Sequence, residues 1–256
     1  MGLFDKKYCD VCGEKIGLLG NRKLEDGNLC KDCARKLSPW FSERRNSSVN
    51  EIKRQLEYRE ENRGRVEAFH ITRTLGSGTK LLLDEDAGLF MVTSAKNIAE
   101  ANPDVLALSD VTGCTLDVEE SSKELLHEDK DGNEVRYNPP RYEYSYDFYI
   151  IVNVNNPYFN EMRFRINPNS VEISPPPSIR PGVTLRFNPE TNAEYKKYKQ
   201  LGEEIRQILV KVRDDAREKI EQAAAPKTAV SCPYCGATTT PDASGCCEYC
   251  GGALMG

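Results

Sequence analysis

Long apolar runs are missing from this sequence. Apolar runs such as Tyr149–Val152 and Leu81–Leu83 are only a few residues long, against the ~20 of a membrane-spanning helix, so no membrane insertion is expected. The first segment, MGLFDKKYCD, has neither the apolar stretch of an export signal nor the serine or threonine of a myristoylation site. The chain is therefore expected to work in a reducing cytoplasm. Histidine is scarce: His70 and His127 are the 2 in 256 residues. Neither stands in HExxH, and GxSxG and GxGxxG do not occur. The GSGTK run at 76–80 lacks phosphate-loop spacing and separates two strand-like runs, which makes it a hairpin turn. With no nucleophile motif, paired base or cofactor loop, no catalytic constellation is legible. The chain is expected not to be an enzyme.

Cysteine, by contrast, is plentiful: 10 residues where a reducing compartment disfavours disulfides. Eight of them form four CxxC pairs, Cys9/Cys12, Cys30/Cys33, Cys232/Cys235 and Cys247/Cys250. The first two pairs are separated by 17 residues and the last two by 11. Each chain end thus reads CxxC…CxxC, the spacing of a closed four-thiolate zinc site. Three pairs run into glycine, which accepts positive φ without steric cost. The Cys30/Cys33 pair runs instead into ARKL, the first turn of a helix. That order suggests a treble-clef-like module at the N-terminus and a zinc ribbon at the C-terminus. A thioredoxin-type site would use one CxxC in a βαβ setting, and iron would accept similar ligands. Two structural zinc ions remain the stronger reading, because four thiolates close each site. Cys246 competes with Cys247 as a ligand, although CEYCG matches the other knuckles. Cys114, in VTGCTLDV, reads as a small core residue of a strand.

Between these ends the sequence predicts α+β organisation. Residues 1–45 form the first zinc module. Residues 46–66 form an amphipathic helix capped by Ser47 or Ser48, with Val49, Ile52 and Leu56 as a narrow apolar face and Gly64 near its end. Residues 67–190 form an antiparallel sheet or partly closed barrel, with strands near 69–75, 80–84, 89–93, 111–119, 142–154 and 161–166 and a possible short one at 170–173. Within it, 120–140 reads as an acidic loop holding His127, and a Pro-rich run follows 173. Residues 191–225 form a helix whose stripe Tyr198, Leu201, Ile205, Ile208 and Val212 is spaced 3, 4, 3, 4. The stripe packs on the β domain or pairs two copies into a homodimer through 195–220. Residues 226–256 hold a linker, centred on 223–230, and the zinc ribbon.

Charge narrows the partner class. Residues 67–190 carry 11 basic and 20 acidic side chains, and a polyanion needs a basic footprint. The one basic patch, Lys31, Arg35, Lys36, Arg44 and Arg45, reads as a solvated helix face. Nucleic acid is therefore the lesser alternative to a protein partner.

The run GLFDKKYCDVCGEKIGLLGNRKLEDGNLCKDCARKLSPWF resembles an uncharacterised bacterial family, a domain of unknown function with an N-terminal four-cysteine module. The resemblance rests on Cys9, Cys12, Cys30 and Cys33, the IGLLG turn and the SPWF exit. It implies zinc, a bacterial cytoplasm and an interaction module. CPYCGATTTPDASGCCEYCGG is similar to short zinc-ribbon tails, and the middle segment resembles the pleckstrin-homology superfold in topology. Together these imply a non-enzymatic, zinc-binding adaptor, with a nucleic-acid-associated factor as the alternative.

Overall fold

The computed structural model describes residues 6–175, 187–224, 229–242 and 244–254. Most of the Pro-rich run after 173 and the middle of the expected linker lie outside them. The chain divides into two compact units, Met1–Asp214 and Asp215–Gly256.

In the first unit, β1 (Arg22–Lys23) and β2 (Asn28–Leu29) form a minimal hairpin, and α1 (Lys31–Arg35) follows from Cys30. Ile16, Leu24, Leu29, Leu37 and three of the cysteines make a small core with Ile52 of the next helix, α2 (Val49–Ala68). Ser48 caps α2: its hydroxyl accepts from Glu51 N–H, and the Glu51 carboxylate accepts from Ser48 N–H. This is the reciprocal capping box. The helix does not end at Gly64, whose surroundings are open. One interior glycine costs about 1 kcal/mol, and Val66, buried beyond it, repays part of that through packing.

Polar residues dominate the buried face of α2: Ile52, Gln55, Arg59, Asn62 and Val66. Arg59 Nη1 donates to Asp104 Oδ1 at 2.7 Å, and Ser38 Oγ donates to Asp104 Oδ2 at 2.8 Å. Asn62 Nδ2 donates to Asn102 Oδ1 at 2.8 Å and Pro103 O at 2.7 Å, while its Oδ1 accepts from Val105 N–H at 2.9 Å. Asn102 sits in the left-handed region (φ 47°), which asparagine tolerates better than most residues. This network ties the exit of the N-terminal module to the β region.

Strands β3 to β10 form two sheets, and no barrel closes among the described residues. The first sheet runs β3 (Arg73–Leu75), β4 (Lys80–Asp84), β5 (Leu89–Thr93) and β6 (Leu106–Ala107) in antiparallel order, with the short helix α3 (Ile98–Ala101) before β6. His70 precedes β3 rather than lying in a strand; its N–H donates to Asp84 Oδ2 at 2.9 Å. In the second sheet, β7 (Val111–Glu128) pairs along its length with β8 (Glu134–Val154). On the other side of β8 lie β9 (Glu161–Arg165) and β10 (Val171–Ile173). A two-residue β6 followed by the 3-10 turn Leu108–Asp110 gives the first sheet too little edge to continue into the second.

The acidic segment 120–140 is not a loop. The turn is confined to 129–133, where Asp129 Oδ1 accepts from the N–H groups of Asp131 and Asn133, each at 2.9 Å. His127 lies on β7, its ring tilted against that of Tyr137 with centroids 4.4 Å apart. Alternating charges solvate both faces of this ribbon, and the backbone ladder pairs its strands regardless of side-chain polarity.

Helix α4 (Ala193–Ala224) starts at Asn192, whose side chain accepts from Tyr195 N–H at 3.0 Å. In the first unit it packs on the second sheet through Tyr195, Tyr198, Gly202, Ile205 and Leu209. The Tyr195 ring meets Tyr146 and Phe148 edge-on at 4.9 and 5.1 Å. The expected stripe is therefore displaced: Tyr198 and Ile205 belong to it, but Leu201, Ile208 and Val212 are half-buried. Gly202 carries the closest approach, since a Cβ there would lie 2.5 Å from Leu116 Cδ1.

In the second unit, β11 (Val230–Ser231) and β12 (Thr238–Thr239) form a two-residue hairpin that flanks the Cys232/Cys235 pair. No helix among the described residues is long and apolar enough to cross a membrane.

Candidate metal centres

Three of the four CxxC knuckles share one backbone pattern. The Cys9 N–H donates to Glu14 O at 2.9 Å and the Gly13 N–H to Cys9 O at 2.8 Å. Cys232 repeats this with Ala237 and Gly236, and Cys247 with Gly252 and Gly251, all at 2.8 Å. The glycine closing each turn has positive φ: Gly13 76°, Gly236 76° and Gly251 70°. A Cβ would be strained there. The fourth knuckle is built differently. Cys30 is the N-cap of α1, and its Sγ accepts from Cys33 N–H at 3.3 Å.

The turns bring the eight cysteines into two sets, Cys9, Cys12, Cys30 and Cys33, and Cys232, Cys235, Cys247 and Cys250. Within each set the Sγ atoms all lie within 4.8 Å of one another. Cys12 and Cys30 are 3.7 Å apart, Cys232 and Cys250 3.5 Å, and Cys235 and Cys247 3.7 Å. A four-thiolate tetrahedron with metal–sulfur bonds of ~2.3 Å has edges of about 3.8 Å. Both sets fit that figure and can hold a metal ion. Cys246 stands outside, its Sγ facing Ser244 O at 3.7 Å. Cys114 is buried on β7 opposite Val152, where burial pushes its thiol up to about 11.

Electrostatics in each set suit a cation. Burial opposes ionisation of Cys9, yet N–H groups of Cys12, Cys30 and Val11 outweigh it and bring the thiol down to about 7. Burial raises Cys33, and the Cys30 and Cys12 thiols add to the rise. Burial likewise opposes Cys232, which the N–H groups of Cys235 and Tyr234 bring down to about 7. The Gly252 N–H favours the Cys250 thiolate, but Cys235 and Cys232 together push that thiol up to about 12. Four crowded sulfurs can all ionise only with a positive centre among them.

Sequence reasoning missed the groups that brace these sites. Asp10 Oδ2, inside the first knuckle, accepts from Asn28 N–H at 2.6 Å, and Asp26 Oδ1 accepts from Val49 N–H at 2.7 Å. Asp242 Oδ1 accepts from Ser244 and Cys246 N–H groups, each at 2.8 Å, ahead of the last knuckle. An aspartate beside a CxxC pair or in a DG turn was the available signal.

Residues 7–55, from the first knuckle to the second turn of α2, match the model of a family described as a domain of unknown function (DUF4428). No curated protein matches the chain, and no solved structure does.

Proposed function

We propose that this chain is a non-enzymatic, zinc-stabilised adaptor that presents a braced recognition surface to a protein partner. The all-cysteine donor sets favour zinc as the ion, and four thiolates leave no open position for substrate. A four-strand sheet, a second sheet and a C-terminal helix packed on it follow the order expected of a pleckstrin-like domain, which supports that reading of the centre.

The observation that carries the adaptor reading is the groove between the module's exit and β9. It encloses ≈ 680 Å³ and is lined by Trp40, Glu43, Tyr158, Phe159, Glu161 and Arg163. Among the described residues β9 pairs only with β8. The Ile166 N–H to Phe148 O and Val154 N–H to Asn160 O bonds set the ladder's alternation. The backbone groups of Glu161, Arg163 and Arg165 therefore point away from β8. An outer strand edge of this kind accepts an extended segment of another protein. The indole Nε1 of Trp40 is buried without an acceptor among the described residues. Tyr58 of α2 braces the far wall, its ring 5.1 Å from Tyr158 and its hydroxyl accepting from Asn156 Nδ2 at 3.2 Å.

Pairing of two copies through 195–220 has less to offer, since Tyr198 and Ile205 are already buried in the chain itself. A nucleic-acid role is opposed by the acid excess of residues 67–190.

The test is a photo-crosslinking amino acid at Tyr158 in the zinc-loaded full chain, expressed in its native cell. A discrete protein adduct that disappears when a proline replaces Arg163 on the β9 edge is the expected result. Adducts with nucleic acid, or none at all, would sink the adaptor reading.

A further inference from the structure

The cations of the N-terminal module fall into two groups that the sequence patch had merged. Arg35 is paired with Asp32. Arg44 and Arg45 instead join Arg22 and Lys23 around a cavity of ≈ 700 Å³, with Glu25 the single carboxylate in its lining. That volume lies within the ~300–1,000 Å³ of small-molecule sites.

None of these four cations has an ion-pair partner among the described residues. Elsewhere in the chain arginines find carboxylates readily: Arg59 with Asp104, Arg63 with Glu60, Arg73 with Glu85, Arg163 with Asp117. Two of the guanidinium groups, those of Arg22 and Arg44, are steadied by carbonyls, while Arg45 and Lys23 are exposed. Arg44 Nη1 donates to Lys23 O at 2.7 Å, and Arg22 Nη1 to Leu19 O at 3.2 Å. These bonds fix the side chains without neutralising them. Burial, then the Arg45 and Arg22 charges, lower the pKa of Arg44, as expected where like charges share one space. Cations gathered around one space without counter-ions repel one another unless an anion joins them, and a guanidinium fork matches the oxygens of a phosphate group.

We infer that this cavity binds the phosphate group of a small phosphorylated molecule, an assignment independent of the adaptor reading. A small ligand fits better than a strand. An extended polyanion would run from the cavity over a chain of net charge −5, whereas a compact phosphate meets only the lining.

The test uses zinc-loaded full-length protein and inorganic pyrophosphate, followed by NMR of backbone amides and arginine Nε–Hε groups. Saturable shifts at Arg22, Arg44, Arg45 and Leu24 are expected. Arg45→Gln should weaken binding about tenfold; Arg45 is exposed, so the fold should survive. Arg44→Gln should weaken it at least as much, and Arg35→Gln should leave it unchanged. The absence of saturable shifts, or equal loss in Arg35→Gln, would overturn the site. Tighter binding of a short oligothymidylate through the same arginines would overturn the small-ligand assignment in favour of a strand.

Discussion

Arg59 of α2 and Asp104 of the loop before β6 form an ion pair at 2.7 Å, with side chains 7% and 0% exposed. Burial pushes the Asp104 carboxyl up, while the Arg59 guanidinium and the Ser38 hydroxyl pull it down. Arg59 Nε also donates to Lys36 O at 3.2 Å, so the pair joins the exit of the first module to the β region. Truncating one partner leaves the other charge buried and alone.

Arg59→Met is therefore expected to destabilise the first unit by about 3–5 kcal/mol, and Asp104→Leu similarly. The double variant should recover a large part of that loss, because no buried charge remains. Urea denaturation of the four corners of the cycle measures the coupling; additive single effects would refute it.

Gln55 lies one turn before Arg59 and is fully buried, with neither amide atom bonded to another group among the described residues. Gln55→Met should raise stability by about 1–3 kcal/mol, by removing that desolvation cost while keeping the volume. A fall in the denaturation midpoint would show that the amide has a partner that matters.

Metal removal should act unequally along the chain. The segment 226–256 is too short to fold on apolar burial alone, since below ~40 residues a metal or disulfide is usually needed, and a zinc site supplies an apparent ~10–16 kcal/mol. A strong chelator should expose 226–256 and 6–37 to protease while 73–173 stays resistant. Elemental analysis should find two zinc ions per chain, and iron in their place would reopen redox chemistry.

Gly202 separates two opposing effects. Gly202→Ala gains about 1 kcal/mol of helix propensity but sets a methyl 2.5 Å from Leu116 Cδ1, so a near-neutral change is expected as Leu116 turns aside. Gly202→Leu should cost about 1–3 kcal/mol by overpacking. Thermal melts of the two variants decide this, and equal stability would mean that α4 does not press on β7 there.

The Ser48–Glu51 box gives a pH dependence. The Ser48 N–H and hydroxyl hold the Glu51 carboxyl below its ordinary 4.5. A depressed carboxyl pKa stabilises the fold above the unfolded value, and that contribution is lost as pH falls through the folded one. Ser48→Ala should cost about 1 kcal/mol at neutral pH. Glu51→Gln should flatten the acid side of the stability curve, and an unchanged acid limb in that variant would remove the box from the account.

How much could be read in advance follows from what each signal encodes. The knuckle is a local object: two cysteines, a turn and a glycine with positive φ all lie within five residues, so Cys9, Cys12 and Gly13 were legible as a unit. The β-rich runs were legible through alternation, as in Tyr146, Phe148, Ile150 and Val152, each buried. Polarity misled at 120–140, because a two-stranded ladder is held by backbone groups that composition does not report.

Both long helices bury faces that hydropathy does not mark. Hydropathy marked Val49, Ile52 and Leu56, but beside Ile52 α2 also buries Gln55, Arg59 and Asn62, and Arg59 and Asn62 are tolerated inside only because partners from residues 36 and 102–105 arrive to bond them. On α4 the stripe turned aside from Leu201 to Gly202, because a missing side chain lets the helix approach Leu116. The sequence by itself determined the two four-cysteine sets, the capped start of α2 and the strand-rich centre, all set by spacing along the chain. Only the tertiary structure decided which helix faces are buried, that the strands split into two sheets, and that Arg22 and Lys23 share a cavity with Arg44 and Arg45. Those outcomes depend on groups far apart in sequence, which meet only once the backbone has closed.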